Sequence, residues 1–314
     1  MESQHAMDSK LNGGQGFVLL IVLSVIWGMA FVAIRRAVIE LSPVNLTILR
    51  WLIVSGGFLT LAPFIGKPKA PIKKEHIPRI LLVSLMSVAG YHLSLNYGET
   101  IVSAGLAGLL ISVGPIFVAT LSVLFLKEKI GIRVIAAIAL AIAGAFVLSI
   151  GADLSFTQIT GPLAVIFSAF SFAVYAVGSK PLVKEYGALP AAVWAAVIGT
   201  LFLLPLLSWN FVTEVQALSP TGWLSVLFLA ILSTIIANMI LYSLVGARVI
   251  SHLSIQLLLI PVVSLVGGIL LLGEGLTVTT IIGAALLLSA TALVTSRRVQ
   301  TSGPETRLKS SSEI

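Results

Sequence analysis

Apolar runs free of interior Asp, Glu and Lys recur ten times along the chain: about Phe17 to Ile34, Trp51 to Ile65, Ile80 to Tyr97, Ile101 to Leu126, Val134 to Ile150, Pro162 to Ser179, Pro190 to Trp209, Trp223 to Leu244, Ile250 to Leu272 and Val278 to Thr295. A hydrocarbon core of about 30 Å takes about 20 helical residues, and most of the runs suit that length. The second does so only by starting near Val44, which carries Arg50 into the span. Barrel strands would show about ten residues of alternating polarity; these runs of Leu, Ile, Ala and Gly predict helices. The expected fold is an all-α integral membrane protein with ten transmembrane helices. The first run is not a signal peptide, because only Lys10 precedes it, no A-x-A site follows and Arg35-Arg36 comes directly after.

Composition agrees and narrows the function. Of 314 residues, 58% are hydrophobic and 10% charged, against about 25% charged in soluble domains; the mean hydropathy is +1.09. That leaves no room for a cytosolic enzyme or a DNA-binding fold. The net charge of +7 would suggest nucleic acid only if the cations shared a face. Instead, 16 of the 19 Lys and Arg residues fall on one side of a ten-helix arrangement, Arg35 and Arg36 on the other, and Arg50 inside the second helix. Short basic loops stay in the cytoplasm, so the expectation is a multi-pass protein of the cell (inner) membrane with both termini cytoplasmic. Its expected partners are the lipid bilayer and a small-molecule substrate, with no nucleic acid; a homodimer is left open. With no cysteine, disulfides and thiolate chemistry are excluded, and no cofactor or metal is expected.

The second half of the chain resembles the first at an offset of 145 to 146 residues. Gly16 pairs with Gly161, Trp27 with Phe172, Arg35 with Lys180, Tyr97 with Tyr242, Pro115 with Pro261 and Glu128 with Glu274. The best block sets Ile111 to Lys129 against Leu257 to Gly275, each a proline-bearing helix closing on an acidic loop. Five spans is an odd number, so the second copy enters the membrane from the opposite side. Such inverted repeats give two mirror-related conformations around a fixed midplane site, as transporters need.

The stretch Trp27 to Trp51 resembles the helix 1 to helix 2 pattern of the EamA branch of the drug/metabolite transporter superfamily, with its Trp-Gly, a basic residue, a loop proline and an Arg in the second helix. The blocks ending LFLKEK (Leu124 to Lys129) and LLLGEG (Leu270 to Gly275) resemble that family's repeated proline, Gly-Glu or Lys-Glu, then glycine pattern. The resemblance covers about Phe17 to Ser296. It implies two inverted five-helix repeats around a cavity lined mainly by the first, third, fourth, sixth, eighth and ninth helices, with the fifth and tenth peripheral. The division expected is a cytoplasmic tail 1–16, a first EamA-like repeat 17–150, an extracytoplasmic connection 151–160, a second repeat 161–296 and a cytoplasmic tail 297–314. In the second repeat Phe172 replaces the tryptophan, and no arginine matches Arg50.

Polar side chains in hydrocarbon are costly and are site candidates by default. His92 and Asn96 share a face of the third helix, continued by Glu99; Thr234, Asn238 and Tyr242 form a stripe on the eighth, and His252 and Gln256 one on the ninth. The sixth helix offers Ser168, Phe172, Tyr175 and Ser179, and the first offers Ser24, Trp27 and Phe31. The expected substrate contacts are Trp27, Phe31, His92, Asn96, Tyr175, Asn238, Tyr242 and Gln256, weighed against interhelical hydrogen bonding. Arg50, Glu99, Pro115 and Pro261 are expected to gate or support. Arg50 could snorkel outward, pair with Glu99 or hold a substrate carboxylate.

All 12 acidic residues map to loops, tails or helix ends, which disfavours a proton antiporter of cationic drugs. No mid-membrane Lys or Arg on the fourth, eighth or ninth helix suits an organophosphate. A neutral or zwitterionic metabolite remains, with an amino acid, exported, as the best single reading; other metabolites or drugs are the alternative. His92 is the one buried proton carrier, so facilitated or weakly coupled export is expected. A lipid-modifying membrane enzyme is the alternative of another class, but no G-x-S-x-G, no H-E-x-x-H and no Asp pair lies within the spans.

Overall fold

The computed structural model describes residues 13–65, 70–126, 132–151, 156–246 and 253–300, and among them there are no strands. Ten apolar segments order the chain. They are α1 (Gly13–Ala37), α2 (Pro43–Ile65), α3 (Ile77–Leu85, Met86–Leu93 and Ser94–Ile101 in continuous sequence), α4 (Ala104–Ile111 and Gly114–Leu126) and α5 (Ile132–Gly151). The second set is α6 (Thr160–Tyr186), α7 (Ala188–Leu203), α8 (Pro220–Leu227, Phe228–Ile236 and Ala237–Gly246), α9 (Leu253–Leu272) and α10 (Val278–Gln300). Eight are long and apolar enough to cross a membrane on the strength of their described residues, and α5 and α9 have 20 residues each, about 30 Å at 1.5 Å per residue. The second span does begin early, at Pro43, and so contains Arg50; proline is tolerated at a first helical position because its missing N–H would have no partner there. The chain is thus a multi-pass membrane protein of two five-helix repeats with opposite insertion.

We call the end where α1 starts and α10 finishes the near end, and the other the far end. The packing follows the repeat. Helix α1 lies on α9 as α6 lies on α4, α3 on α6 as α8 on α1, and α3 on α7 as α8 on α2; α2 with α7, α4 with α9 and α5 with α10 meet across the two-fold relation. Helices α5 and α10 form an outlying pair, leaning on each other where Gly144 and Gly283 bring the backbones together: a Cβ on either would stand 3.1 Å from the carbonyl of the other. Lipid tails give no hydrophobic drive between helices, so small residues that admit close backbones carry the association.

Two local departures from α-geometry also repeat. Met86–Leu93 in α3 and Phe228–Ile236 in α8 are π-helical, at matching places in the two copies. Such stretches displace side chains from α-register and recur at functional sites. The two prolines behave differently. Pro115 sits where α4 breaks between Ile111 and Gly114, while α9 continues through Pro261. The break frees the Ser112 carbonyl, and Thr291 of α10 donates its hydroxyl to it at 2.9 Å. Pro115 thus coincides with an interruption of α4, and Pro261 with none in α9.

Candidate solute pathway

At the far end polar caps hold the central helices together, and an apolar groove of about 450 Å³ lies beside them between α2, α3 and α6, with Val44, Leu93, Tyr97 and Phe167 in its wall. Glu274, in the link between α9 and α10, accepts the Ala104 N–H at 2.6 Å and the Gly105 N–H at 2.9 Å, covering the start of α4, where orphan donors and the helix dipole favour a carboxylate. Glu40, between α1 and α2, accepts the Ser219 N–H at 2.8 Å and its hydroxyl at 2.7 Å at the start of α8. Arg35 donates to the Glu99 carbonyl, and Glu214 accepts the Ser42 N–H at 2.9 Å. Between these caps the helices touch through glycine: a Cβ at Gly108 would stand 2.6 Å from the Cβ of Ser264, and one at Gly161 2.7 Å from that of Ile101.

The near end is different. Helix α1 packs on α3 and α4, and α2 packs on α3, but among the described residues the repeat-related pairs α6 with α8, α6 with α9 and α7 with α8 make far less contact than these do. A cavity of about 230 Å³ occupies that place, lined by Tyr175, Ser179 and Val183 of α6, Ala188, Ala191 and Ala192 of α7 or its start, and Leu241 of α8. Its lining corresponds to the seal at the other end. At an offset of 145, Leu241 matches Asn96 and Ala192 matches Thr47, and at the far end Asn96 Nδ2 donates to Thr47 Oγ1 at 2.8 Å. The contact that closes one end is the gap that opens the other.

Between seal and cavity lies a layer of polar groups. Arg50 starts about 10 Å inside the far end, seven residues into α2, yet its guanidinium does not snorkel outward. Nη2 donates to Thr234 Oγ1 at 2.8 Å, halfway along α8, and the residue is 4% exposed. Trp27, halfway along α1, donates Nε1–H to the Ser233 carbonyl at 3.0 Å. Asn238 donates its amide to the Thr234 carbonyl at 2.7 Å. The His92 ring stands 5.0 Å from that of Trp51 and 4.6 Å from that of Tyr91. A chain of ring contacts, Tyr91 with Phe172 at 5.9 Å and Phe172 with Tyr175 at 6.3 Å, runs from this layer to Tyr175 in the cavity wall.

The residues expected to contact substrate are therefore distributed along one route. Tyr175 lines the cavity, and His92, Trp27 and Asn238 belong to the mid-span layer. Asn96 is fully buried in the far-end seal, Phe31 is packed in the main core beside Gly108, and Gln256 is 3% exposed with an unpartnered Nε2. None of these three lines the cavity. Tyr242 and His252 have side chains outside the described residues. Glu99 corrects the reading of the acidic residues as peripheral. It is near a helix end by sequence but 0% exposed, with neither carboxylate oxygen hydrogen-bonded and Arg35, Arg50 and Glu274 within electrostatic range. Trp51, Thr234 and Thr47 were not among the expected contacts; tertiary packing places the first two in the layer and Thr47 in the far-end contact with Asn96. No group of three or more metal-ligating side chains occurs among the described residues.

A family model described as the EamA-like transporter family matches the chain twice, over residues 14–150 and 159–296. An uncharacterized transporter of Archaeoglobus fulgidus is 33% identical over 282 residues, covering 90% of this chain and 99% of that protein. A probable terminal-alkyne amino-acid exporter of Streptantibioticus cattleyicolor is 32% identical, covering 88% and 92%. A probable amino-acid metabolite efflux pump of Escherichia coli is 29% identical, covering 87% and 92%. A solved crystal structure aligns with a TM-score of 0.57 at 18% identity, covering 91% of this chain and 99% of that one; at that identity it speaks for the fold alone.

Proposed function

The chain belongs to the EamA-like transporter family, and on that premise we propose that it exports a small neutral or zwitterionic metabolite, an amino acid, by alternating access through a central cavity. The carrying observation is the broken symmetry. Three helix pairs are packed at the far end while, among the described residues, their mates barely meet at the near end, which is the geometry of one of two interconvertible states. The excess of Lys and Arg in the near-end loops supports a cytoplasmic near end, so the state is inward-facing and loads from the cytoplasm. Both termini are then cytoplasmic and the membrane is the cell membrane.

The near-end cavity has a volume of about 230 Å³. Its wall is mostly apolar with the Tyr175 and Ser179 hydroxyls among it, which suits an amphipathic solute. Two relatives carry names that refer to amino-acid export, which points the same way. Substrate passes Tyr175 and reaches Trp27, His92 and Asn238; Phe31, Asn96, Tyr242 and Gln256 meet it as the helices rearrange, with Glu99, Pro115 and Pro261 setting the gates.

The test is counterflow of labelled amino acids into proteoliposomes of the purified protein. Saturable uptake driven by the same amino acid inside is expected, falling several-fold in His92→Ala and Asn238→Ala at unchanged expression. Absence of counterflow for every amino acid, from protein that is folded and monodisperse, overturns the reading; wild-type flux in both variants removes those two residues from the pathway.

A further inference from the structure

Arg50 carries a cation to the middle of the bilayer, where an ionised group costs several kcal/mol unless paired. Its pairing is incomplete. Among the described residues Nη2 has the Thr234 hydroxyl, a neutral acceptor already donating to the Leu229 carbonyl, and Nε–H has no acceptor. Glu99 does not take it up, since neither of its carboxylate oxygens receives a hydrogen bond.

Two more nitrogens near it are in the same condition. The Trp51 indole N–H and His92 Nδ1 are buried without partners, their rings are 5.0 Å apart, and His92 lies within electrostatic range of Arg50. Buried donors left unpaired cost about 1–3 kcal/mol each in a structure that has nothing further to offer them. A ligand that accepts hydrogen bonds and carries one negative charge suits the Arg50 Nε–H and the Trp51 N–H, and His92 in the tautomer that carries its proton on Nδ1. Ring contacts run from His92 through Tyr91 and Phe172 to Tyr175, whose side chain lines the near-end cavity.

We infer that Arg50, with the Trp51 indole N–H and the His92 imidazole, forms the carboxylate subsite of the transported solute, approached from the near-end cavity past Tyr175, Phe172 and Tyr91. The guanidinium fork matches a carboxylate through two parallel N–H···O bonds. A phosphate, with about −1.5 to −2 charge, would require a second cation at this level. The inference rests on the transport reading for its ligand, but binding tests it separately from flux.

The probes are leucine, its deaminated analogue isocaproate and its decarboxylated analogue isoamylamine, added to purified full-length protein while thermal unfolding is followed. Leucine and isocaproate are expected to stabilise the wild type and isoamylamine not to. In Arg50→Gln the apparent affinity for both carboxylates is expected to fall by about tenfold or more, the scale of a lost charge-assisted pair. Trp51→Phe, which keeps the ring and removes the donor, should lose a few fold, as should Arg50→Lys, which keeps the charge and removes the fork. These two carry the test if Arg50→Gln does not fold. Equal stabilisation by isoamylamine, no stabilisation by either carboxylate, or undiminished carboxylate affinity in the folded variants overturns the subsite. Carboxylate-selective binding without amino-acid counterflow would overturn the transport reading alone.

Discussion

Replacing Glu274 with Ala removes two hydrogen bonds, at 2.6 and 2.9 Å, from the first N–H groups of α4. These bonds join the α9–α10 link to α4 across the closed far end, so on the alternating-access reading the loss falls on that state. Removing a side-chain cap costs about 0.5–2 kcal/mol, and withdrawing a negative charge from a helix N-terminus costs about 0.3–1 kcal/mol more. Water entering the opened end offsets part of this, leaving about 1–2 kcal/mol, a 5- to 30-fold shift in population on the scale of roughly that factor per 1–2 kcal/mol. The chain has no cysteine, so single-cysteine reporters need no background removed. Thr47→Cys reports the far-end contact with Asn96, and Ala192→Cys reports its repeat-related position in the near-end cavity. In purified protein, maleimide reaction at Thr47→Cys is expected to accelerate about 5- to 30-fold when Glu274→Ala is added, and reaction at Ala192→Cys to slow or stay level. Glu274→Gln, which keeps one acceptor, should give a smaller change of the same sign. Acceleration at both reporters together would mean general loosening, and no change at Thr47→Cys would mean that Glu274 does not hold the far end; either result refutes the reasoning.

Gly108→Val should cost about 1–3 kcal/mol, the range for forcing extra methyl groups into a filled interface, because its first added carbon already meets Ser264; a fluorescence-detected melting curve of the solubilised protein measures this. The bonds from Ser219, first its N–H and then its hydroxyl, hold the Glu40 carboxyl below its ordinary value of 4.5. The folded state therefore binds fewer protons than the unfolded one near that pH. This contribution is fully present above about pH 4.5 and is lost as the pH falls through the lowered value. In Ser219→Ala, which keeps the backbone bond and loses the side-chain one, the decline of melting temperature over the same acid range should be shallower than in wild type.

Span number and inverted insertion were legible in the chain because the bilayer imposes a length on every helix and because five crossings reverse direction. Both constraints act along the sequence, residue by residue, and neither depends on which helix touches which. Arg50 shows where that reading ended. Its depth followed from Pro43 to Ile65 forming one helix, but three directions for its head remained open, and only the position of Thr234 across from it decided for the membrane centre. Glu99 was read as a gating or supporting group at a helix end, and it does lie there; its complete burial beside Arg35 of α1 and Glu274 of the α9–α10 link is decided by tertiary packing. Asn96 and Phe31 shared helix faces with pathway residues yet lie inside closed contacts, while Thr47 and Trp51 carried no signal of their own. The repeat in the sequence is symmetric enough to specify two arrangements, and it cannot say which is occupied. That choice belongs to the tertiary structure, since the Asn96 to Thr47 contact has a polar pair at one end of the molecule and Leu241 with Ala192 at the other.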